Sequence, residues 1–372
     1  MTGKKALKYD CREHFLPIVI IAKDKTVTDK IVEHISDTFG LQSKVSNRLM
    51  RILIFFVLPV LMVYIVWASY MWATNSWGLF REYFYMTLTM VFGSFVAGAS
   101  SEGGGAVAFP VMTLVFKILP SVARTFSLAI QSIGMTAATL WIIAKQIPIE
   151  KKYLKLAMVG GSFGIIFGSY FVAPYLAPAY SKMLFVSFWL SFGLALFAIN
   201  HIRQRDTCNQ LPSLDRKQRA ELLAIGFIGG ILSSILGSGI DICSFAFVTM
   251  KYNLSEKVAT PTSVILMASN AIVGFLLHQF VLQDVQPEVY NYWLVSIPVV
   301  VLGAPLGALV INKLKRLHIA VFLYSIIIIQ FIGAVVIIRP HGELLVFSLL
   351  TFIVGIVIFF FMSKRAKPPK LM

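Results

Sequence analysis

The sequence predicts an all-α polytopic membrane protein built from two inverted repeats. Three observations lead there. Of the 372 residues, 58% are hydrophobic and 13% charged, and apolar runs long enough to span a ~30 Å hydrocarbon core recur throughout. A β-barrel would instead alternate polar and apolar residues over ~10-residue segments. Two of the runs are interrupted by glycine beside an acid, at Ser100-Ser101-Glu102-Gly103-Gly104-Gly105 and at Leu236-Gly237-Ser238-Gly239-Ile240-Asp241. The two interrupted stretches also resemble each other at a fixed offset.

Residues 1–48 read as a cytoplasmic tail, with no secretory signal. Val27, Ile31, Ile35 and Phe39 recur every four residues, the spacing of a short amphipathic helix. Residues 49–80 hold an extra first span, Met50 to Ala73, with Trp67, Tyr70, Trp72 and Trp77 clustering toward its outer end. The first repeat (81–200) contains the broken run 83–118, then spans 121–144, 153–174 and 181–200. A basic linker, 201–219, divides the chain. The second repeat (220–338) follows with the broken run 220–252 and spans 257–281, 290–312 and 318–338. Residues 339–372 add one more span and a basic tail.

Positive charge fixes the orientation. Of 33 Lys and Arg, 28 fall in 1–51, 145–155, 201–219, 251–257, 313–316 and 363–372. Such clustering is the positive-inside pattern, so these segments and both termini are expected in the cytoplasm. The formal charge of +16 is thereby explained by topology rather than by nucleic acid. Cys11, Cys208 and Cys243 form no disulfide framework and read as free thiols.

A shift of 136 residues lays Gly93 on Gly229, Gly103 on Gly239, Phe109 on Phe245, Val122-Ala123 on Val258-Ala259 and Ser127 on Ser263. Gly164-x3-Gly168 likewise matches Gly303-x3-Gly307, glycines of the kind that permit close helix packing. Each half has a broken segment that enters and returns, then three crossings. An odd number of crossings inverts the second copy. Inverted repeats with discontinuous helices meeting at mid-membrane are the architecture of secondary transporters.

The breaks carry the candidate site. A glycine weakens a helix by roughly 1 kcal/mol, and an acid at bilayer depth costs about 2.5–3.5 kcal/mol. Irregular backbone at that depth has to be buried in protein or line a cavity. Free amides at Gly103, Gly104 and Gly105, with the hydroxyls of Ser100 and Ser101, open a helix whose positive end favours an anion. Ser238 and Gly239 offer the same before a second helix. Arg124, Ser127 and Gln131, and in the second copy Thr262 and Ser263, follow in the next helices, where Pro261 reads as a first-turn proline. Glu102 and Asp241 are the candidates for carrying a coupling proton. A competing reading leaves the hydroxyls bonded to carbonyls one turn back, and His278 reads as interfacial.

The run Gly93-x4-Gly98-x4-Gly103-Gly104-Gly105-x4-Pro110, then Pro120-x2-Ala123 and Ser127, resembles the TauE/SafE family of sulfite and organosulfonate exporters. Gly230-x6-Gly237-x-Gly239, then Ala259-x2-Thr262-Ser263, is similar to that family's second copy. The likeness covers about residues 83–338. It implies a bacterial inner-membrane permease for a small sulfur-containing anion such as sulfite, thiosulfate or an organosulfonate. Glu102, Asp241 and the extra spans at each end depart from the family pattern. Neither a cofactor nor a metal is expected. A passive anion channel and an intramembrane enzyme with Ser100 or Ser101 as nucleophile remain as alternatives, and the sequence leaves the oligomeric state open.

Overall fold

The computed structural model describes residues 44–364 apart from 102, 104 and 203–205. The expected helix around Val27–Phe39, the residues Glu102 and Gly104, and the basic end 365–372 lie outside the described residues. The described chain forms helices in sequence order: α1 (Arg48–Ala73), α2 (Phe84–Ala99) and α3 (Gly105–Pro110), which is prolonged by a π-helical turn, Val111–Val115. Then come α4 (Pro120–Ala144), α5 (Lys151–Phe171), α6 (Pro178–Phe197), α7 (Arg216–Leu236) and α8 (Ile240–Tyr252). The last are α9 (Glu256–Leu276), α10 (Pro287–Lys313), α11 (Arg316–Ile338) and α12 (Gly342–Lys364). Among the described residues nine helices are long and apolar enough to cross a membrane; α2, α3 and α8 are the shorter ones.

Local chemistry sets where helices start. Proline opens α4, α6 and α10, at a position where a helix has no need of the missing N–H. Asp215 and Gln218 close a capping box on α7, with reciprocal bonds of 2.7 and 3.0 Å. The Glu150 carboxylate accepts the Lys152 N–H at 3.0 Å at the start of α5. The helix α9 begins at Glu256, five residues before Pro261, so that proline lies inside the helix rather than in its first turn.

Glycine decides how closely helices cross. A side chain at Gly160 or Gly164 would run into the backbone of Leu223 or Phe227, and one at Gly226 or Gly230 into that of Ala157 or Gly161. Thus α5 and α7 touch along reciprocal small residues. The same happens between α2 and α10, where Gly98 faces Ala304, and Gly303 and Gly307 face Ser94 and Phe95. Starts recur at one spacing as well: Pro120 and Glu256, like Lys151 and Pro287, lie 136 residues apart.

Burial separates the centre from the rim. In its most apolar window α4 is 67% buried, whereas α1 is 6% and α11 and α12 are each 17% buried. The large side chains of Met62, Ile65, Ile329, Val336, Leu350 and Phe361 stay exposed, as the outer surface of a bundle bathed in lipid requires. A core of Met135, Tyr153, Trp189, Phe192, Phe245 and Leu266 joins α4, α5, α6, α8 and α9. The linker is pinned to the α8–α9 turn, since Cys208 donates to Asn253 O at 2.9 Å and accepts from Ser255 N at 2.8 Å.

Candidate functional site

The two breaks meet. Gly103 has a φ of +66°, a conformation that costs a residue with a β-carbon about 1–2 kcal/mol. Space forbids a side chain there too. A β-carbon would fall 2.5 Å from Gln131 Oε1 and 2.7 Å from Asp241 Oδ2, with Ser238 Cβ at 3.4 Å. One glycine of the first break therefore rests on α4, on the second break and on the first turn of α8. Gly237, at φ +78°, ends α7 in the left-handed conformation and donates to Ser233 O at 2.8 Å. Its open side is filled by Ser127 and by Arg124 O of α4.

Gln131 joins these parts. Its Nε2 donates to Ser127 O at 2.9 Å and to Gly237 O at 2.8 Å. Two carbonyls on one side settle the amide orientation, because the flipped amide would oppose oxygen to oxygen. Gln131 Oε1 is left facing Gly103 and Asp241 without a donor. Ser101 Oγ, Ser238 Oγ and Asp241 Oδ2 are also buried without a partner among the described residues. Their residues are 1%, 0% and 0% exposed, and Gln131 is 2% exposed. Leaving such a group unsatisfied costs about 1–3 kcal/mol, and three of these residues, Gln131, Asp241 and Ser238, converge on Gly103, two positions after Ser101 in the chain.

The second break satisfies its own amides. Asp241 Oδ1 accepts the Gly239 N–H at 3.1 Å, and Ser233 Oγ accepts that of Ile240 at 3.0 Å. The open amides expected at Ser238 and Gly239 are thus partly filled from within. Gly105 opens α3 as expected, and Ser100 is buried at the end of α2. Beside Gln131 a void of about 10 Å³ is lined by Ser94, Ala97, Gly134, Met135 and Ala304, roughly the room that one water needs. Ser94 Oγ, too, is without a partner.

The remaining hydroxyls are engaged locally. Ser127 donates to Ala123 O and Ser263 to Thr260 O, each at 2.8 Å. Thr262 donates to Val258 O at 2.7 Å and accepts from Glu150 N at 2.9 Å, tying α9 to the start of α5. Arg124 sends its guanidinium to Asp284, 3.7 Å away. Burial raises the proton affinity of Asp284, but the hydrogen bond and charge of His278, followed by Arg124, outweigh it and hold the carboxyl below its ordinary value. His278 is fully buried and lies 2.7 Å from Asp284, so it is an internal partner rather than an interfacial residue.

Sequence reasoning missed a polar network at the starts of α9 and α11. Asn200 Nδ2 donates to Glu256 Oε1 at 2.9 Å, and Arg316 Nη1 reaches Asn200 Oδ1 at 3.0 Å and Glu256 Oε2 at 3.5 Å. Glu256 is fully buried there. Only its adjacency to an apolar run marked it, a signal shared by every residue at a helix start.

A family model for the sulfite exporter TauE/SafE matches residues 86–333. That range takes in both breaks, the cluster between them and the helices that hold it. No curated protein and no solved structure matches the chain. With about two thirds of its length inside the match, the chain belongs to the sulfite exporter TauE/SafE family of membrane transporters.

Proposed function

We propose that the protein is an alternating-access permease for a small sulfur-containing oxyanion such as sulfite, thiosulfate or an organosulfonate. The observation that carries this reading is the contact of Gly103 with Gln131, Ser238 and Asp241. It brings two discontinuous helices, distant in sequence, to one buried polar point, as transporters with broken helices require. Helices α2–α6 and α7–α11 act as inverted repeats in this reading. It is supported by their common order, by the 136-residue spacing and by the matched crossings of α5 with α7 and of α10 with α2. Each repeat then rocks on the other about the glycine crossings.

The oxyanion is bound by donors: the hydroxyls of Ser100, Ser101 and Ser238 and the amides from Gly103 to Gly105. Ser127 and Gln131 shape the wall opposite. A carboxylate at Asp241 repels an anion, so the site needs a compensating positive charge, and a proton on Asp241 or Glu102 is one source. The protein sits in a bacterial inner membrane with both termini in the cytoplasm, in keeping with its distribution of Lys and Arg.

The test is flux of sulfite and sulfoacetate into proteoliposomes, with and without a pH gradient, for the wild type, for the cluster variants Ser101→Ala and Gln131→Ala, and for Glu102→Gln, Ser127→Ala and Ser263→Ala. Saturable flux that drops at least tenfold in a variant of the cluster is expected. Flux that rises linearly with concentration and carries unitary current would make the protein a channel. Absence of flux for every sulfur oxyanion would reject the substrate class.

A further inference from the structure

The cluster at Gly103 is richer in acceptors than an anion site should be. Gln131 Oε1 cannot turn away, because both protons of its amide are committed to the carbonyls of Ser127 and Gly237. Asp241 Oδ1 is committed to Gly239 N, and Oδ2 is left facing the amide oxygen. Both oxygens lie within 2.7 Å of one point beside Gly103, so they are no more than about 5 Å apart. Among the described residues no Lys, Arg or His pairs with Asp241. Two buried acceptors this close, with no counter-charge among the described residues, repel unless something positive lies between them.

We propose that Asp241, Gln131, Ser238 and Ser101 hold a sodium ion, which serves as the coupling ion of the permease; the coupling role rests on the transport reading above. Oxygen ligands stand about 2.3–2.6 Å from calcium, an ion of nearly sodium's radius, and two oxygens no more than about 5 Å apart are within reach of one such cation. The charge suits a monovalent one. Among the described residues no three His, Cys, Asp or Glu side chains gather, and one carboxylate with three neutral oxygens balances a single positive charge. A proton shared between Asp241 and Gln131 would satisfy that pair and leave the Ser101 and Ser238 hydroxyls without partners. An ion uses their lone pairs and leaves their protons free to point at an oxyanion. The same two serines then touch both solutes, which makes the binding of each favour the other.

The experiment is thermal unfolding of the purified full chain in detergent at pH 8, without any oxyanion. Sodium chloride is varied against choline chloride at constant ionic strength, with potassium chloride in parallel. Sodium is expected to raise the midpoint saturably, by ~3–5 °C at a large excess over its Kd, and potassium to do so far less. Asp241→Asn should abolish the shift. Ser238→Ala should keep the sodium-free midpoint and raise the half-saturating sodium concentration about tenfold, the loss of one ligand; it carries the test if the Asp241 variant does not fold. No sodium-specific shift, an equal shift with potassium, or a midpoint that follows pH and ignores sodium would each overturn the proposal, the last in favour of a proton. A sodium shift unchanged in both variants would put the ion elsewhere and overturn it too. Since the assay contains no substrate, its failure leaves the permease reading to the flux measurement, and a failure of flux leaves the ion site standing.

Discussion

The two helix breaks solve the same problem in different ways. The second caps its own amides: Gly237 turns left-handed and caps α7, Ser233 accepts the first amide of α8, and Asp241 reaches back to Gly239, while α4 holds only the Gly237 carbonyl and its open side. Among its described residues the first leans on other parts of the protein, through Gly103 against Gln131 and Asp241. A self-capped turn is a stable wall. A turn completed by its neighbours registers where those neighbours are, and that is a property a moving transporter needs at its centre.

The largest test of this contrast is Gly103→Val. A branched side chain meets both an unfavourable φ and two oxygens within 2.7 Å, so we expect about 3 kcal/mol or more of destabilisation and loss of flux. Gly333, whose side-chain position is open, is the control: Gly333→Ala should leave both unfolding and flux unchanged. Normal transport by Gly103→Val would mean that the breaks need not touch.

Next is Gln131→Ala, which strips donors from the carbonyls of Ser127 and Gly237. About 1–3 kcal/mol should be lost, read as a lower thermal midpoint. Flux should fall more than in Ser233→Ala. That second change leaves the Ile240 N–H without its acceptor and costs a similar amount, but it disturbs a wall rather than the junction. Equal loss of flux in the two variants would erase the distinction between the breaks.

A smaller effect concerns the latch of Arg124, His278 and Asp284 beside the second break. The native carboxyl of Asp284 is held below its ordinary value of 3.8. Its contribution is therefore present above the unfolded value and is lost as pH falls through the lower, folded one. With the side chain 43% exposed, screening limits it to less than about 1 kcal/mol. Thermal midpoints of wild type and Asp284→Asn should differ at pH 6, and the gap should close as pH falls below the ordinary value of 3.8 and through the lower folded one. A gap that persists in acid would show that the latch acts through packing.

The smallest effect on stability belongs to Ser127→Ala. Its hydroxyl bonds only to its own helix, so unfolding should change by under about 0.5 kcal/mol. Its Cβ, which fills the open side of Gly237, is retained. A large loss of stability would mean that the hydroxyl supports the second break directly.

The sequence alone determined the class, eight of the nine long apolar helices, the two interruptions and the family resemblance. Each of these rests on composition, run length or spacing, and such patterns survive without knowledge of what lies opposite. It also marked Gly103, Gln131, Ser238 and Asp241 separately, from residue type and from position beside a break. What it did not contain was their convergence. Gln131 lies 106 residues from the carbonyl it holds, and only the packing of α4 against the turn between α7 and α8 brings the two ends together. It likewise placed His278 at an interface and left Glu256 unremarked, although both are fully buried. A charged residue at a helix end looks the same in sequence whether it faces headgroups or a partner on another helix. The tertiary structure alone decided that, because partners across helices are set by packing and leave no local period to read.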